Sequence, residues 1–342
     1  MSLQCQWLRM CALVVAFLGF ATTEAAVGGR MPGYSIPTIV VDQSGRGNFT
    51  TIQAAIDAVP WGNSRWICIF VKSGLYKEKV SIPREKGFIY LKGEGRRKAN
   101  VVWSDHDSIA QSPTFTSWAD NVFARSISFT NSYNLPMSQN GNPRAPAVAA
   151  MIAGDKSSFY RCSFFGVQDT LWDFEGRHYF KSCTIVGAVD FIFGSGQSIY
   201  DGCTVAVTTA ALGPGVPGYI TAQGRSSPEQ SNGFVFKNCR VVGNGLTYLG
   251  RPWRGYARVI FYSTYMSNII VPQGWNAWYT SSREYQLTFV EYNCTGLGAD
   301  TSRRVKWLSR LSTDVLYRLT RLDYIDSDGW LMSQPHSSTI LA

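Results

Sequence analysis

Short apolar runs separated by turn residues follow one another along the middle of the chain, and four of them share one internal order. Each begins with an aromatic residue, has cysteine at its fourth position and ends on an apolar residue. Runs of this length and composition predict β-strands. The four runs are Phe159–Phe164, Phe180–Ile185, Tyr200–Val205 and Phe236–Val241, with weaker copies at Phe123–Phe129 and Phe261–Met266.

The spacing of the cysteine position indicates how these strands are arranged. Ile127 and Thr264 take that position in the weaker copies, and the successive spacings are 35, 21, 20, 36 and 25 residues, with insertions at 130–147 and 208–233. A coil of short strands cannot bury its apolar face alone, whereas stacked coils extend each other's sheets at about 4.8 Å and enclose a core. The pattern therefore predicts an all-β fold, a parallel β-helix in which equivalent positions form ladders.

Two other architectures fit this pattern less well. A doubly wound α/β fold would alternate strands with longer helices, and a β-sandwich would need hairpin turns, of which residues 155–205 have few. The clearest helical pattern is Thr51–Val59, with Thr50 as its expected N-cap and Pro60 as its stop. We expect short helices of this kind to cap the ends of the stack, where bare strand edges would otherwise invite aggregation.

Two acidic residues occur at equivalent places in successive coils. Asp169 follows Cys162 by seven residues, and Asp190 follows Cys183 by seven, so the two should lie about one strand spacing apart. Repulsion and burial would raise the pKa of one carboxyl group and leave a proton donor beside an anion. The spacing thus predicts an acid and nucleophile pair, while aspartates that only cap turns would give the same spacing.

Neighbouring side chains favour catalysis over turn capping. Gln168 offers two amide donors beside the first acid, and Arg251 offers a planar fork that can keep a carboxylate ionised. The sequence does not support metal-dependent catalysis, because the three histidines have no metal-ligand spacing. It does not support a serine nucleophile either, because Gly194-Ser195-Gly196 is not a nucleophile elbow. We therefore expect no metal and no cofactor, and carboxylate chemistry remains.

The N-terminal residues 1–25 have the composition of a secretory signal peptide, with Arg9 before a short apolar run. The run is about a dozen residues long, too short to span a bilayer. We expect a secreted, extracellular protein with no membrane anchor, whose mature part, 26–342, is a single β-helix domain. Two sequons, Asn48-Phe49-Thr50 and Asn293-Cys294-Thr295, fit a secreted glycoprotein.

Cysteine content and net charge indicate the state of the thiols and the class of partner. Of eight cysteines, Cys5 and Cys11 lie in the signal segment, and the rest are either buried thiols or disulfides between coils. If a bridge forms, Cys203–Cys239 is the preferred pair, because it would restrain the insertion between them. The net charge of +9 favours a polyanionic partner such as an acidic polysaccharide, and secretion makes nucleic acid the least expected one.

Four motifs together resemble the plant pectinesterases (pectin methylesterases). The similarity runs from about Ile39 to Trp330, and the motifs follow the family's order and spacing: Gly74–Glu78, Gln168–Leu171, Asp190–Gly194 and Leu249–Trp253. The resemblance implies a right-handed parallel β-helix that removes methyl groups from galacturonate esters. It assigns Asp169 as general acid and base, Asp190 as nucleophile, Gln168 to the oxyanion and Arg251 to holding the nucleophile.

The resemblance also implies substrate-binding residues. Trp253 would pack against sugar, Trp275 or Trp278 would add a second platform, and Ser132 and Pro146 take further substrate-binding positions. The implied partner is methyl-esterified homogalacturonan, a proteinaceous inhibitor is left open as a second partner, and we expect a monomer.

Pro146 is the main departure from the family pattern. The family usually has Gln-Ala-Val-Ala-Leu, whose glutamine also supports the oxyanion, where this chain has Pro146-Ala147-Val148-Ala149-Ala150. Losing one oxyanion donor costs on the order of 100- to 1000-fold in rate. We therefore expect that activity is reduced, that it relies on another donor, or that it is absent. The signal also leads directly to the catalytic start, leaving no room for the inhibitor-like domain that many relatives carry.

Two rival functions remain open at this level. Paired carboxylates also hydrolyse glycosides, so a β-helix glycosidase of the polygalacturonase type is one alternative. The other is a pectin-binding wall protein that is catalytically weak or inactive.

Overall fold

The computed structural model describes residues 36–95, 97–135 and 143–335, and the predicted signal peptide at 1–25 lies outside them. Its strands, in chain order, are Thr38–Val41 (β1), Ile67–Val71 (β2), Gly74–Lys77 (β3), Val80–Ile82 (β4), Ile89–Gly93 (β5), Ala99–Trp103 (β6), Phe115–Ser117 (β7), Val122–Arg125 (β8), Ile127–Asn131 (β9), Ala150–Ile152 (β10), Ser157–Tyr160 (β11), Ser163–Phe165 (β12), Leu171–Asp173 (β13), Arg177–Lys181 (β14), Thr184–Gly187 (β15), Val189–Gly194 (β16), Gln197–Asp201 (β17), Thr204–Thr208 (β18), Gly218–Gln223 (β19), Gly233–Lys237 (β20), Arg240–Asn244 (β21), Thr247–Pro252 (β22), Arg258–Tyr262 (β23), Tyr265–Met266 (β24) and Thr288–Tyr292 (β25). The helices are Ile52–Asp57 (α1), Thr313–Thr320 (α2) and Asp323–Asp326 (α3), with four short 3-10 turns beside them.

The strands form three parallel sheets, and each complete turn of the chain from β2 to β22 adds one strand to each sheet. Sheet A has the order β1-β2-β5-β8-β11-β14-β17-β20-β23-β25, sheet B runs from β3 to β24, and sheet C runs from β4 to β22. The predicted fold, a right-handed parallel β-helix with short helices near its ends, is confirmed.

The cysteine-bearing runs cross a corner of the β-helix and do not form single strands. In Phe180–Ile185, for example, β14 ends at Lys181 and β15 begins at Thr184. The residue before the cysteine position has a positive φ in every copy, from 48° at Ser263 to 60° at Gly202. This left-handed residue turns the chain from sheet A into sheet B.

Stacking of the repeat builds the core. Equivalent aromatic rings of successive coils lie face to face, with centroids 4.5–5.1 Å apart, in the ladder Phe159, Phe180, Tyr200, Phe236 and Phe261. These side chains are fully buried. Offset stacking of this kind contributes about 0.5–1.5 kcal/mol per pair beyond area burial.

The described cysteines are free thiols, so the predicted Cys203–Cys239 bridge is wrong. Four of the sulfurs, those of Cys183, Cys203, Cys239 and Cys294, have a hydrogen-bond acceptor on the preceding coil. Cys203 Sγ, for example, lies 3.3 Å from the Phe180 carbonyl oxygen, and Cys239 Sγ lies 3.2 Å from that of Tyr200. Of the two alternatives left open by the sequence, the ladder of buried thiols is the one observed.

A helix covers the first end of the stack, and the C-terminal helices cover one of its sides. Helix α1 buries Ile52, Ala55 and Ile56 completely against the first coils. Its N-cap is Thr51 and not Thr50 as predicted, and both carboxylate oxygens of Glu78 accept its first backbone N–H groups, from Ile52 at 2.8 Å and Gln53 at 2.9 Å. At the other end of the chain, residues of the C-terminal segment, such as Leu316 and Trp330, cover the outer face of sheet A.

Candidate active site

The register of sheet C brings the two predicted acids together. Gln168 pairs with Val189, and Leu171 pairs with Ile192, so both pairs differ by 21 residues. Asp169 therefore lies level with Asp190 on the adjacent coil. The Asp169 backbone N–H also donates to the Val189 carbonyl at 3.0 Å.

A β-bulge aims Asp190 outward. Pairing between β16 and β19 shifts from Val189 opposite Tyr219 to Ile192 opposite Thr221, so one residue of β19 faces two of β16. Asp190 has φ 46° and Asp169 has φ 60°, a left-handed conformation that costs a non-glycine residue about 1–2 kcal/mol. Bulges re-aim side chains in this way, and they are frequent beside active sites.

The same bulge requires a glycine beneath it. Phe191, the residue after Asp190, is fully buried, and a Cβ on Gly187 would come within 2.2 Å of the Phe191 Cβ. Gly187 thus leaves the space in which Phe191 anchors the bulge to the core.

Arg251 pairs with Asp190 and favours its ionised form. Its Nε donates to Oδ1 at 2.8 Å and its Nη2 donates to Oδ2 at 2.5 Å, a bidentate pair. Burial raises the pKa of Asp190 above its ordinary value, and the hydrogen bonds and charge of Arg251 oppose that rise.

Among the described residues, no cation pairs with Asp169 in this way. Burial, followed by the charge of Asp190, raises the pKa of Asp169 to about 8, although Arg251 acts in the opposite direction. The two carboxyl groups titrate as a coupled pair. At neutral pH Asp169 therefore retains its proton, beside a carboxyl group whose ionised form Arg251 favours.

Two aromatic rings fix the path of Arg251 from β22 to Asp190. Its strand neighbour on β19 is Ala222, whose small side chain lets the guanidinium group cross that strand and reach β16. The Arg251 Cζ lies 4.0 Å from the ring centroid of Tyr219 and 3.9 Å from that of Trp278. Cation–π contacts with two rings leave the guanidinium edge free for the carboxylate.

The acids open into a cleft of about 260 Å³ on the outer face of sheet C. Six predicted site residues line it: Gln168, Asp169, Asp190, Arg251, Trp253 and Trp278. Within the described chain, the Gln168 side-chain amide has no hydrogen-bond partner and is available to a ligand. Aromatic rings extend one side of the cleft. The ring centroid of Phe193 lies 5.3 Å from that of Trp172 and 5.9 Å from that of Trp253.

Comparison with known proteins decides the family. The model of the pectinesterase family matches residues 38–328. The chain belongs to the pectinesterase family. "Probable pectinesterase 29" of Arabidopsis thaliana is 56% identical over 299 residues, which are 87% of this chain and 89% of that relative.

Solved pectinesterase structures share the fold. Pectin methylesterase from carrot has 30% identity and a TM-score of 0.80, over 88% of this chain and 97% of its own. A pectin methylesterase in complex with a hexasaccharide has 25% identity and a TM-score of 0.74, over 86% and 98% of the two chains. The predicted enzyme class, pectinesterase, is confirmed.

Three predicted substrate-binding residues of this pectinesterase do not line the cleft. Trp275 is 1% exposed, stacks on Phe289 and donates from Nε1 to Glu291 at 3.0 Å, so it belongs to the core and cannot pack against sugar. Trp278, the alternative, is 41% exposed and lines the cleft.

Ser132 and Pro146 lie on the coils before the acids. The Ser132 hydroxyl donates to the Trp103 carbonyl at 3.1 Å, so its hydrogen is already used within the protein. Pro146 precedes Ala147, whose N–H donates to the Gln168 carbonyl at 3.1 Å. Position 146 is therefore next to Gln168 but supplies no donor.

Sequence reasoning missed Ile109, Phe193 and Ala222 as cleft residues. Phe193 lay within the predicted Asp190–Gly194 motif, and its outward place follows from the bulge. Ile109 and Ala222 carry no chemical signal, and only the register of the coils brings them to the site.

Among the described residues, no group of three or more His, Cys, Asp or Glu is arranged to hold a metal, and no helix is long and apolar enough to cross a membrane.

Proposed function

We propose that this pectinesterase hydrolyses the methyl esters of pectin galacturonate through a covalent intermediate on Asp190. The observation that supports this most is the unequal pair itself: Asp190 is held by the Arg251 fork at 2.8 and 2.5 Å, while the pKa of Asp169 is raised to about 8. An ionised carboxylate beside a protonated one supplies a nucleophile and a general acid in one site.

In the first step, an oxygen of Asp190 attacks the C6 carbonyl carbon, and the bond from that carbon to the methoxyl oxygen breaks. Asp169 gives its proton to the departing oxygen, which leaves as methanol, and an anhydride joins Asp190 to the sugar. Gln168 donates a hydrogen bond to the oxyanion of the tetrahedral state.

In the second step, Asp169 is ionised and takes a proton from water. The resulting hydroxide attacks the sugar carbonyl of the anhydride, and Asp190 leaves as a carboxylate. The products are methanol and one galacturonate carboxyl group, and both aspartates return to their starting states.

Substrate class and location are part of the proposal. A related pectin methylesterase has been solved with a hexasaccharide, and the cleft of this chain joins exposed Trp278 to Trp253 and Phe193. Rings beside polar groups suit a sugar chain. We further propose that residues 1–25 direct the protein out of the cell to the wall.

The test is methanol release from methyl-esterified pectin by the wild type, Asp190→Asn and Asp169→Asn. Each change should lower kcat at least 100-fold, because it removes the nucleophile or the general acid. Asp201→Asn is the matched control, since Asp201 is a partly buried acid paired with Lys181 away from the cleft. Full turnover by either site variant would contradict the assigned roles.

The same assay separates the rival functions. New reducing ends without methanol would identify a glycosidase. Pectin binding by folded protein with no methanol released would identify a non-catalytic wall protein.

A further inference from the structure

The corner between sheets A and B carries a second charged surface, on the first four coils. Phe70 pairs with Lys92, Lys92 with Arg125, and Arg125 with Tyr160, so these side chains occupy one ladder position on successive strands. We call this surface, with Lys72 and Arg161 from the adjoining turns, the basic corner. Its cations are Lys72, Lys92, Arg125 and Arg161.

Two aromatic rings hold the four cations. The Nζ atoms of Lys72 and Lys92 each lie 5.2 Å from the Phe70 ring centroid. On the next coils, the Cζ atoms of Arg125 and Arg161 each lie 5.2 Å from the Tyr160 ring centroid. Such contacts position a cation but leave its charge in place.

Acids neutralise little of this charge. Glu94 pairs with Lys72 at 2.8 Å, while in the part of the chain that the structure describes no acid pairs with Lys92, Arg125 or Arg161. Like charges on neighbouring strands repel each other, so the arrangement has a cost in the free protein. On the next strand of sheet A the positive charge is neutralised, because Lys181 is paired with Asp201 at 2.8 Å.

The basic corner is separate from the cleft. Its residues lie at or next to the C-terminal ends of strands of sheet A, whereas Asp169 and Asp190 lie where the chain enters sheet C. Arg161 is exposed, and Lys92 and Arg125 are half-buried. The basic corner can therefore bind a ligand outside the catalytic cleft, including a segment of a polymer that also occupies the cleft.

We propose that the basic corner binds de-esterified galacturonan, as a second polysaccharide site. The ligand class rests on the proposed function, whose product chain carries a carboxylate at each hydrolysed ester. Cations repeated at about 4.8 Å from coil to coil suit a polymer with regularly repeated carboxylates better than an isolated anion. Such a site would hold the enzyme on pectin that already carries free carboxylates.

The experiment measures the affinity for fully de-esterified polygalacturonate, which contains no ester to cleave. The test variant is Lys92→Gln/Arg125→Gln/Arg161→Gln. The control variant, Arg84→Gln/Lys306→Gln/Arg310→Gln, removes three exposed positive charges elsewhere and so has the same net charge. At low salt, the test variant should bind roughly tenfold more weakly than the wild type, and the control should stay within about twofold.

A single substitution shows whether a loss of affinity in the triple variant comes from misfolding. Arg161 is an exposed turn residue, so Arg161→Gln should keep the wild-type Tm and still weaken binding about threefold. Methanol release from a short methyl-esterified oligogalacturonate should be unchanged in both variants, because neither touches the cleft.

The outcomes separate cleanly. Equal losses in test and control variants would show that only net charge matters, and no loss in the test variant would show that the corner does not bind the polymer; either overturns the proposal. Absence of methanol release by the wild type would refute the proposed function while leaving the affinity comparison intact.

Discussion

At the scale of single residues, the burial of Asp169 has a consequence for stability. Its pKa rises from 3.8 to about 8 on folding, so the folded state binds a proton that the unfolded chain has released in that range. The contribution of this carboxyl group to stability is thus fully present below about pH 4 and is lost as pH rises toward 8.

Asp169→Asn should therefore stabilise the fold at alkaline pH while it removes activity. We expect the Tm of the variant to exceed that of the wild type most at pH 8 to 9 and least near pH 4. Thermal unfolding across this range, with Asp201→Asn as the control, measures the difference. A constant Tm difference at all pH values would contradict the raised pKa.

Tyr219 offers a second test at this scale, as a positioning residue for Arg251. Tyr219→Leu removes a ring 4.0 Å from the guanidinium group, and Tyr219→Phe keeps it. Loss of the ring should lower kcat/KM about tenfold and move its acidic limb to higher pH, because a less constrained Arg251 opposes the pKa rise of Asp190 less well. Tyr219→Phe should restore most activity and the wild-type pH profile. A uniform drop with an unchanged profile in Tyr219→Leu would indicate only a structural role.

These residues differ in how far the sequence could reveal them. The two acids were predictable because equal spacing from a repeated cysteine fixes their level in the stack. Tyr219 was not predictable, because its role depends on Arg251 crossing β19 to reach β16. Trp275 was wrongly assigned because the sequence does not show that its indole turns inward to Glu291 while Trp278, three residues later, remains exposed.

At the scale of strands and turns, the repeat predicted the ladders but not the corners. The apolar runs suggested one strand each, whereas a left-handed residue at Arg161, Ser182 or Asn238 divides each run between two sheets. The bulge in β16 was equally invisible, because it is a mismatch between Val189–Ile192 and a strand some 30 residues later. Pairing partners distant in the chain decide both features.

Position 146, just before β10, provides the test at this scale. Pro146→Gln would add an amide donor next to Gln168 without altering the hydrogen bond of Ala147. We expect kcat to rise about tenfold or more with little change in KM, since the new donor would act on the oxyanion alone. Pro146→Ala is the matched control and should leave kcat unchanged. A similar kcat in the glutamine and alanine variants would show that position 146 contributes no oxyanion donor.

At the scale of the whole molecule, stacking of coils supplies the stability that disulfides supply in smaller secreted domains. The described cysteines are thiols, and those of Cys183, Cys203, Cys239 and Cys294 have carbonyl-oxygen acceptors on the preceding coil. The sequence left thiol and disulfide open because a ladder of cysteines is compatible with either.

A reductant should therefore leave the Tm of the native protein unchanged. Thiol titration after unfolding without reductant should find Cys68, Cys162, Cys183, Cys203, Cys239 and Cys294 all reactive. A lower Tm in reductant together with missing thiols would show that coils are cross-linked.

The central claim is that Asp190 attacks while Asp169 handles the proton, and acid quench during turnover of a methyl-esterified oligogalacturonate tests it most directly. Peptide mapping by mass spectrometry should find a galacturonoyl adduct on Asp190 in the wild type and none in Asp190→Asn. An adduct on Asp169, or methanol release by Asp190→Asn at the wild-type rate, would contradict the account.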